Sequence, residues 1–243
     1  MSTPELNKII DYNDVDYTGV MRLSRIFEIF GNIATIGAIE LGLWSLDMME
    51  NYGWIVSKQT LHLNTPINID DDIKFTTKIG KPSMVIYPRY YFIEKEGEII
   101  GECSSLWTMI DLKKRRIMAP KRMGIMMKNV EDKDYGNLER PETIEDDENM
   151  TYVGSRQVLY SDVDTNKHMN NTRYIDWVLD LLDFDVFLEN FIDEISINYV
   201  KEIPPLKEVD LYMIDMDHYK IIKGAVEGET SFLIKLHFKK KVS

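Results

Sequence analysis

A single cysteine, Cys103, stands in 243 residues, so an internal disulfide is excluded, and no cysteine–histidine cluster has zinc-ligand spacing. Basic residues are scarce: 29 Lys and Arg against 41 Asp and Glu leave a formal net charge of −12. That balance argues against nucleic acid, which rewards basic surfaces. An acidic protein partner would need a local basic patch. The opening MSTPELNKII has neither the basic start nor the sustained apolar core of a signal peptide. No long uninterrupted apolar run exists either. The longest helix-like one, Ile26 to Leu43, is broken by Glu28, Asn32 and Glu40 and reads as a buried helix rather than a membrane span. The expected location is therefore the cytoplasm. What is present is a 44% hydrophobic fraction, enough for a true core and unlike a disordered chain. The length admits one large domain or two small ones.

The chain repeats itself. Tyr12-Asn-Asp-Val-Asp-Tyr-Thr-Gly-Val-Met-Arg-Leu-Ser-Arg25 lies without a gap over Tyr160-Ser-Asp-Val-Asp-Thr-Asn-Lys-His-Met-Asn-Asn-Thr-Arg173, 148 positions later. Tyr12, Asp14, Val15, Asp16, Met21 and Arg25 recur identically, and each copy runs on into an apolar helical stretch. A weaker echo is Glu96-Gly97-Glu98 against Glu227-Gly228-Glu229, each in a hairpin signal, at the smaller spacing of 131. The second copy is thus shorter, by loop deletion.

Hydrophobic periodicity agrees. In the first copy a short strand near Ile9 leads through a turn into a helix from about Met21 to Leu43, with Ile26, Phe30, Ile33, Gly37 and Leu41 on its apolar face. Strand-like runs follow at 54–63, 73–79, 84–93 and 99–112. In the second copy a strand at 152–160 leads through a turn into a helix starting near Asn171, for which Asn170, Asn171 and Thr172 are good caps. Strand-like runs follow at 195–200, 209–214, 219–226 and 232–238. Each half therefore reads as strand, long helix, four strands, an α+β layer. Residues 131–150 hold nine acidic and two basic residues with Gly136 and Pro141, a linker by composition. The expected division is residues 1–128, an acidic linker at 129–150, and residues 151–243.

The two turns before the helices differ in chemistry. The first reads Asp16-Tyr-Thr18-Gly-Val20, the second Asp164-Thr-Asn166-Lys-His168. An amide and an imidazole occur only in the second, which points to one active half and one structural or substrate-shaping half. A histidine has a reference pKa near 6.5 and can accept a proton near neutral pH. Asp164 could orient the imidazole or another polar group, and Asn166 can hold water or a carbonyl. The amides of the helix beginning near Asn171 would suit a developing oxyanion. The bland alternative is a capped polar turn with a surface histidine.

The segment DVDTNKHMNNTRYIDW, residues 162–177, resembles the signature of the acyl-acyl carrier protein thioesterases of plants and bacteria. The likeness extends over essentially the whole chain in order. It implies a double hotdog fold, two tandem units that each wrap a curved antiparallel sheet around a long helix. It implies that Asp164, Asn166 and His168 are catalytic, joined by Glu202 in Asn198-Tyr199-Val200-Lys201-Glu202-Ile203. Many plant members carry cysteine directly after that glutamate. Here the position is Ile203, which disfavours a cysteine nucleophile and favours direct attack by water; Cys103 reads as a small core residue. The implied reaction is hydrolysis of a fatty acyl-carrier protein thioester, without cofactor or metal, with Glu202 or His168 as the base.

The same resemblance assigns the acyl pocket to the first half, with Met21, Ile26, Phe30 and Trp44 as chain-length determinants and Asn170 and Asn171 beside the thioester; a plain core role is the competing reading for each apolar one. The strongest basic cluster, Lys113, Lys114, Arg115, Arg116, Lys121 and Arg122, is a docking patch for an acidic acyl carrier protein or else a solvated hairpin end. Lys239 to Lys241 reads as a frayed terminus. His62, His218 and His237 lack catalytic neighbours in the sequence. Two other functions stay open: an acyl-coenzyme A thioesterase of hotdog type, and a non-catalytic acyl-binding module. A homodimer is allowed but not required, since a double hotdog already contains the pairing that single hotdogs reach by dimerising.

Overall fold

The structure, a computed structural model, describes residues 4–120 and 138–241. Eleven antiparallel strands are described, in one sheet. The first half supplies β1 (Glu5–Ile9), α1 (Leu23–Glu40), β2 (Tyr52–Leu63), β3 (Asp72–Ile79), β4 (Tyr87–Lys95), β5 (Glu98–Asp111) and the short β6 (Arg116–Met118). The second supplies β7 (Thr151–Gln157), α2 (Arg173–Leu179), α3 (Phe184–Glu189), β8 (Asn190–Tyr199), β9 (Glu208–Asp215), β10 (Tyr219–Val226) and β11 (Glu229–Lys240). The strand order is β1-β3-β4-β5-β2-β8-β11-β10-β9-β7, with β6 paired to β5.

That order is a palindrome about the β2–β8 junction, so the sequence repeat is also an internal twofold. The junction is built from equivalent residues. Thr60 pairs with Ser196, and their hydroxyls lie 2.9 Å apart, 136 positions from each other in the chain. The hairpins at Glu96-Gly97 and Glu227-Gly228 repeat as well. Their φ values are 52° and 85° in one and 53° and 81° in the other, the two positive values of a type I′ turn. The short echo that reads weakly in the sequence is thus one turn used twice.

The helices depart from the repeat. α1 is 18 residues long and buries Ile26, Phe27, Phe30, Ile33 and Ala34 against the sheet, while α2 has only 7 residues and α3 only 6. The double hotdog stands, but the second unit has no long helix. The cause is chain length: spacing between equivalent residues falls from 148 at the turn to 136 at the central strands, so twelve residues are missing where the helix should continue. The chain instead breaks at Asp183, whose extended backbone (ψ 140°) separates the two helices. One continuous core runs through both halves, from Ile26, Phe30 and Phe75 to Trp177, Ile197 and Phe232. No helix among the described residues is long and apolar enough to cross a membrane.

The acidic segment between the halves is not a free tether where it is described, at 138–150. The Glu142 amide donates to Thr60 Oγ1 and the Ile144 amide to Asn198 Oδ1, both at 3.0 Å. The Asn198 side-chain amide returns a bond to the Glu142 carbonyl at 2.9 Å. Glu142 and Asp146 meet Lys235 and Lys223 at 2.7 and 2.8 Å. Its negative charge answers lysines on the sheet. Residues 129–137 lie outside the described residues.

One carboxylate ties acid stability to the repeat. Asp14 is fully buried; burial would raise its pKa, but hydrogen bonds from Lys8, the Asp11 amide and Arg25 outweigh this and hold it below the ordinary 3.8. Lys8 lies 2.8 Å and Arg25 3.1 Å away. A carboxyl depressed in the folded state contributes stability that is present above its unfolded value and is lost as pH falls through the folded one. The denaturant midpoint should therefore fall between about pH 5 and pH 3, and less steeply in Asp14→Asn. Parallel pH profiles for the two proteins would refute the assignment.

Candidate active site

The two copied turns close through the same bonds. The Asp16 amide donates to the Val20 carbonyl at 2.8 Å, and the Asp164 amide to the His168 carbonyl at 3.0 Å. Each aspartate then accepts the amide two residues on, Thr18 at 2.7 Å and Asn166 at 2.8 Å. The fourth position is left-handed in both, Gly19 at φ 80° and Lys167 at φ 64°. A lysine there is strained where a glycine is free, and it holds His168 in the same place as Val20. The Met169 amide donates to the Ile203 carbonyl at 2.9 Å, which pins the turn beside Glu202.

Side chains on this frame form two linked pairs. Asp164 Oδ2 accepts the Asn166 side-chain amide at 3.2 Å. Of the two partners open to it in the sequence, the aspartate therefore takes the amide rather than the imidazole, and Asn166 keeps its carbonyl oxygen and one N–H for a ligand. His168 Nε2 lies 3.6 Å from Glu202 Oε2. The same oxygen accepts Arg115 Nη2 at 2.9 Å. Arg115 comes from the β5–β6 hairpin of the other half, with left-handed backbone at φ 51°. The structure thus brings Asp164, Asn166, His168 and Glu202 together and adds a cation that the sequence suggested only for docking.

The expected amide nest at the helix start is occupied. α2 begins at Arg173. Asn170 Oδ1 accepts both the Thr172 amide and its hydroxyl at 2.9 Å, and the Asn170 carbonyl accepts the Arg173 amide at 2.9 Å. Asn170 therefore braces the turn before the helix, whose N-cap is Thr172, and is absent from the cavity wall, which Asn171 lines.

A cavity of about 1080 Å³ runs from this cluster into the first half. Its walls include Trp44 and Trp54, Tyr87 and Trp107, and the end of α1 at Ala34 and Ala38. Of the four apolar residues expected to bound an acyl chain, only Trp44 lines it. Phe30 is fully buried and stacked on Tyr91 at 4.3 Å. Met21 and Ile26 line a different cavity, on the first copy's turn. Helical periodicity marks a buried face without saying which side of the sheet's wrap the hollow occupies.

Arg89 went unread in the sequence. It lines the same cavity, is 6% exposed and donates to Thr77 Oγ1 at 3.3 Å. Burial pulls its pKa down. Gly37 makes room for it: a β-carbon there would stand 3.2 Å from the guanidinium. The signal existed, since in β4 the inward positions alternate as Tyr87, Arg89, Tyr91, Ile93. Two phenols, the buried Tyr174 and the half-buried Tyr199, line the polar end. Burial pushes Tyr174 and Tyr199 far above the ordinary phenol range, so both stay protonated and act as donors; Tyr199 donates to the Asn171 carbonyl at 3.2 Å. Cys103 is fully buried and burial raises its thiol well above the usual value, which removes it as a nucleophile. Among the described residues, no group of three or more His, Cys, Asp or Glu side chains could hold a metal ion.

Lys113, Lys114, Arg115 and Arg116 sit exposed in the β5–β6 hairpin, where Asp111 accepts the Lys113 and Lys114 amides at 3.0 and 2.8 Å. Arg115 lines the mouth of the cavity. Lys121 and Arg122 lie outside the described residues.

Comparison with known proteins adds three findings. The family model for the acyl-ACP thioesterase N-terminal domain matches residues 6–121, and that for the acyl-ACP thioesterase C-terminal domain matches residues 145–240. Among curated proteins, the chain is 29% identical over 114 residues to a chloroplastic dodecanoyl-[acyl-carrier-protein] hydrolase of Cinnamomum camphora, covering 44% of this chain and 30% of that protein. It is 26% identical over 161 residues to a chloroplastic palmitoyl-acyl carrier protein thioesterase of Cuphea hookeriana, covering 61% and 38%. The chain thus spans about a third of the length of these relatives. In three dimensions it matches an acyl-ACP thioesterase from Bacteroides thetaiotaomicron (TM-score 0.87, 21% identity, 97% of both chains). It also matches a 12:0-ACP thioesterase from Umbellularia californica (TM-score 0.80, 16% identity, 98% and 97%). At those identities the structural matches speak for the fold.

Proposed function

Because this chain belongs to the acyl-ACP thioesterase family, we propose that it hydrolyses the thioester of a fatty acyl-acyl carrier protein and releases the free fatty acid. The observation that carries the reading is the asymmetry of the two turns. Only the second presents an amide, an imidazole and a carboxylate, and it presents them at the end of a long cavity walled largely by the first half.

The chemistry runs as follows. The acyl chain occupies the cavity with its thioester carbonyl near Asn166. His168 takes a proton from a water molecule, whose oxygen attacks the carbonyl carbon. Asn166, held by Asp164, donates its remaining N–H to the oxygen that gains charge. The tetrahedral intermediate collapses, the C–S bond breaks, and the sulfur leaves with the proton returned from His168. Glu202 is engaged by Arg115 at 2.9 Å and by His168 at 3.6 Å. A carboxylate shared between two cationic or proton-bearing partners is a better holder than a base, so Glu202 orients the imidazole and stabilises its protonated form. Direct attack by water fits the buried Ile203 and the inert Cys103.

The exposed cations of the β5–β6 hairpin at the cavity mouth support docking of an acidic carrier protein on a chain otherwise acidic overall. The reading places the reaction in the cytoplasm with that substrate. It is tested by free-thiol release from acyl-carrier protein and acyl-coenzyme A esters of graded chain length. We expect faster turnover of the carrier-protein esters, with a preference that weakens as salt rises. Preference for the coenzyme A esters would move the substrate, and retention of acyl ligands without turnover would leave a binding module.

A further inference from the structure

The internal twofold makes a second cavity, and its chemistry differs from the first. About 840 Å³ opens beside the first copy's turn, lined by Asp16, Thr18, Val20 and Met21 and by Leu63 and Pro66. Their repeat equivalents, Asp164, Asn166, His168, Met169, Tyr199 and Glu202, line the candidate active site. Every position that could move a proton has been replaced: valine for the imidazole, proline for the glutamate, threonine for the amide. Asp16 is consumed by the amide and hydroxyl of Thr18, both at 2.7 Å. Of the imidazole, amide and glutamate proposed to act in the other cavity, none has a counterpart among the described residues at the equivalent positions here.

A decayed site could simply have filled in, yet this one stays open and acquires an apolar wall. The segment that replaces the missing helix turns Leu179, Leu182, Phe184 and Phe187 toward it. The volume is within the range of small-molecule sites.

Charge then selects the ligand. Four cations line the hollow: Arg22, Arg25, Arg173 and Lys241. Arg25 is paired with Asp14 at 3.1 Å and Arg173 with Asp176 at 2.8 Å. The lining acids are answered too, since Glu28 is bonded by Arg25 and Asp180 by Arg156 at 2.5 Å. Among the described residues, Arg22 and Lys241 have no carboxylate partner. Lys241, expected to fray, instead donates to the Phe187 carbonyl at 2.8 Å and to Thr18 Oγ1 at 3.4 Å. Its ammonium therefore stands beside the equivalent of Asn166, where the other cavity receives a neutral thioester. An apolar hollow with two unanswered cations in a chain of net charge −12 suits an apolar tail ending in an anion.

We propose that the first copy's cavity is a non-hydrolytic binding site for a free fatty acid, held by its carboxylate at Lys241 and Arg22. The neutral thioester gains nothing from those cations, so the site discriminates acid from ester. The ligand shares its class with the proposed reaction product, but binding does not depend on turnover.

The test is titration of the full chain with a carboxyl-¹³C fatty acid, read by NMR. We expect a bound carboxylate resonance whose affinity falls about tenfold in Lys241→Gln and in Arg22→Gln, the loss of one charged hydrogen bond. Thiol-release kcat should be unchanged in both variants. The corresponding fatty alcohol should compete poorly for this resonance. If no bound resonance responds to either substitution, or if the alcohol displaces the acid at equal concentration, the proposal is overturned. The readout is intact even if the chain releases no thiol, so the two proposals fail separately.

Discussion

His168→Ala is expected to lower kcat for acyl-carrier protein hydrolysis by roughly 10²–10⁴-fold, the usual contribution of a positioned general base, with KM little changed. The imidazole lines the cavity beside Glu202, at the polar end and away from the aromatic wall proposed for the acyl chain, so its removal should subtract more from the transition state than from substrate binding. Glu202→Gln keeps the shape of the side chain while removing its charge and turning one acceptor into a donor. It should cost less than His168→Ala, because the imidazole that moves the proton is still present. A Glu202→Gln enzyme slower than His168→Ala would exchange the two roles, and full activity in His168→Ala would remove the site altogether.

The largest stability effect is expected at Trp177. It is 1% exposed at the start of the second unit's core, its ring faced by Arg156 at 4.8 Å. Its indole N–H donates to Asp162 at 3.2 Å. Asp162 also accepts the Leu159 amide at 2.9 Å, so one side chain fills the core and holds the strand that leads into the candidate active turn. Trp177→Ala leaves a cavity and an under-bonded buried carboxylate, and should cost about 3–5 kcal/mol. For a chain of this size that is a fall in Tm of roughly 6–20 °C. Trp177→Phe keeps most of the volume and should lose a minor part. Truncation of the half-buried Trp44 should cost less than Trp177→Ala while altering chain-length preference, because that ring lines the cavity proposed to hold the acyl chain. A Trp177→Ala protein that melts within a degree or two of wild type would mean that the core relaxes around the loss.

The contrast between Asp14 and Asp162 shows how the repeat diverged. Equivalent buried aspartates hold equivalent turns and accept equivalent amides, from Asp11 and Leu159, but Asp14 is otherwise tied by Lys8 and Arg25, whereas Asp162 is tied by a tryptophan. One half rests on charge and the other on packing. The sequence shows the repeat plainly because the turn is local: six identical residues recur within fourteen, and the bonds that close each turn, Asp16 to Val20 and Asp164 to His168, span four positions. The strands were legible for the same reason, their bounds shifting by a few residues. β8 begins earlier than its apolar run, at Asn190, because Phe191 and Ile192 are buried and pair with Lys239 and Phe238 of β11 across a bulge, with Asp193 and Glu194 breaking the apolar pattern.

Local pattern alone therefore determined the tandem α+β units, the two hairpins, and the turn that sets Asp164, Asn166 and His168 in one half and dull residues in the other. Each depends on side-chain period and turn chemistry within a short stretch. Only the tertiary structure decided that Asp164 serves Asn166, that Arg115 reaches Glu202 across 87 positions, and that Met21 and Ile26 face a second hollow rather than the first. It alone showed the acidic segment docked on sheet lysines, and the second helix cut short. Those facts follow from how the sheet closes about the Thr60–Ser196 pair, which brings distant segments to common cavities, and no spacing along the chain encodes that closure.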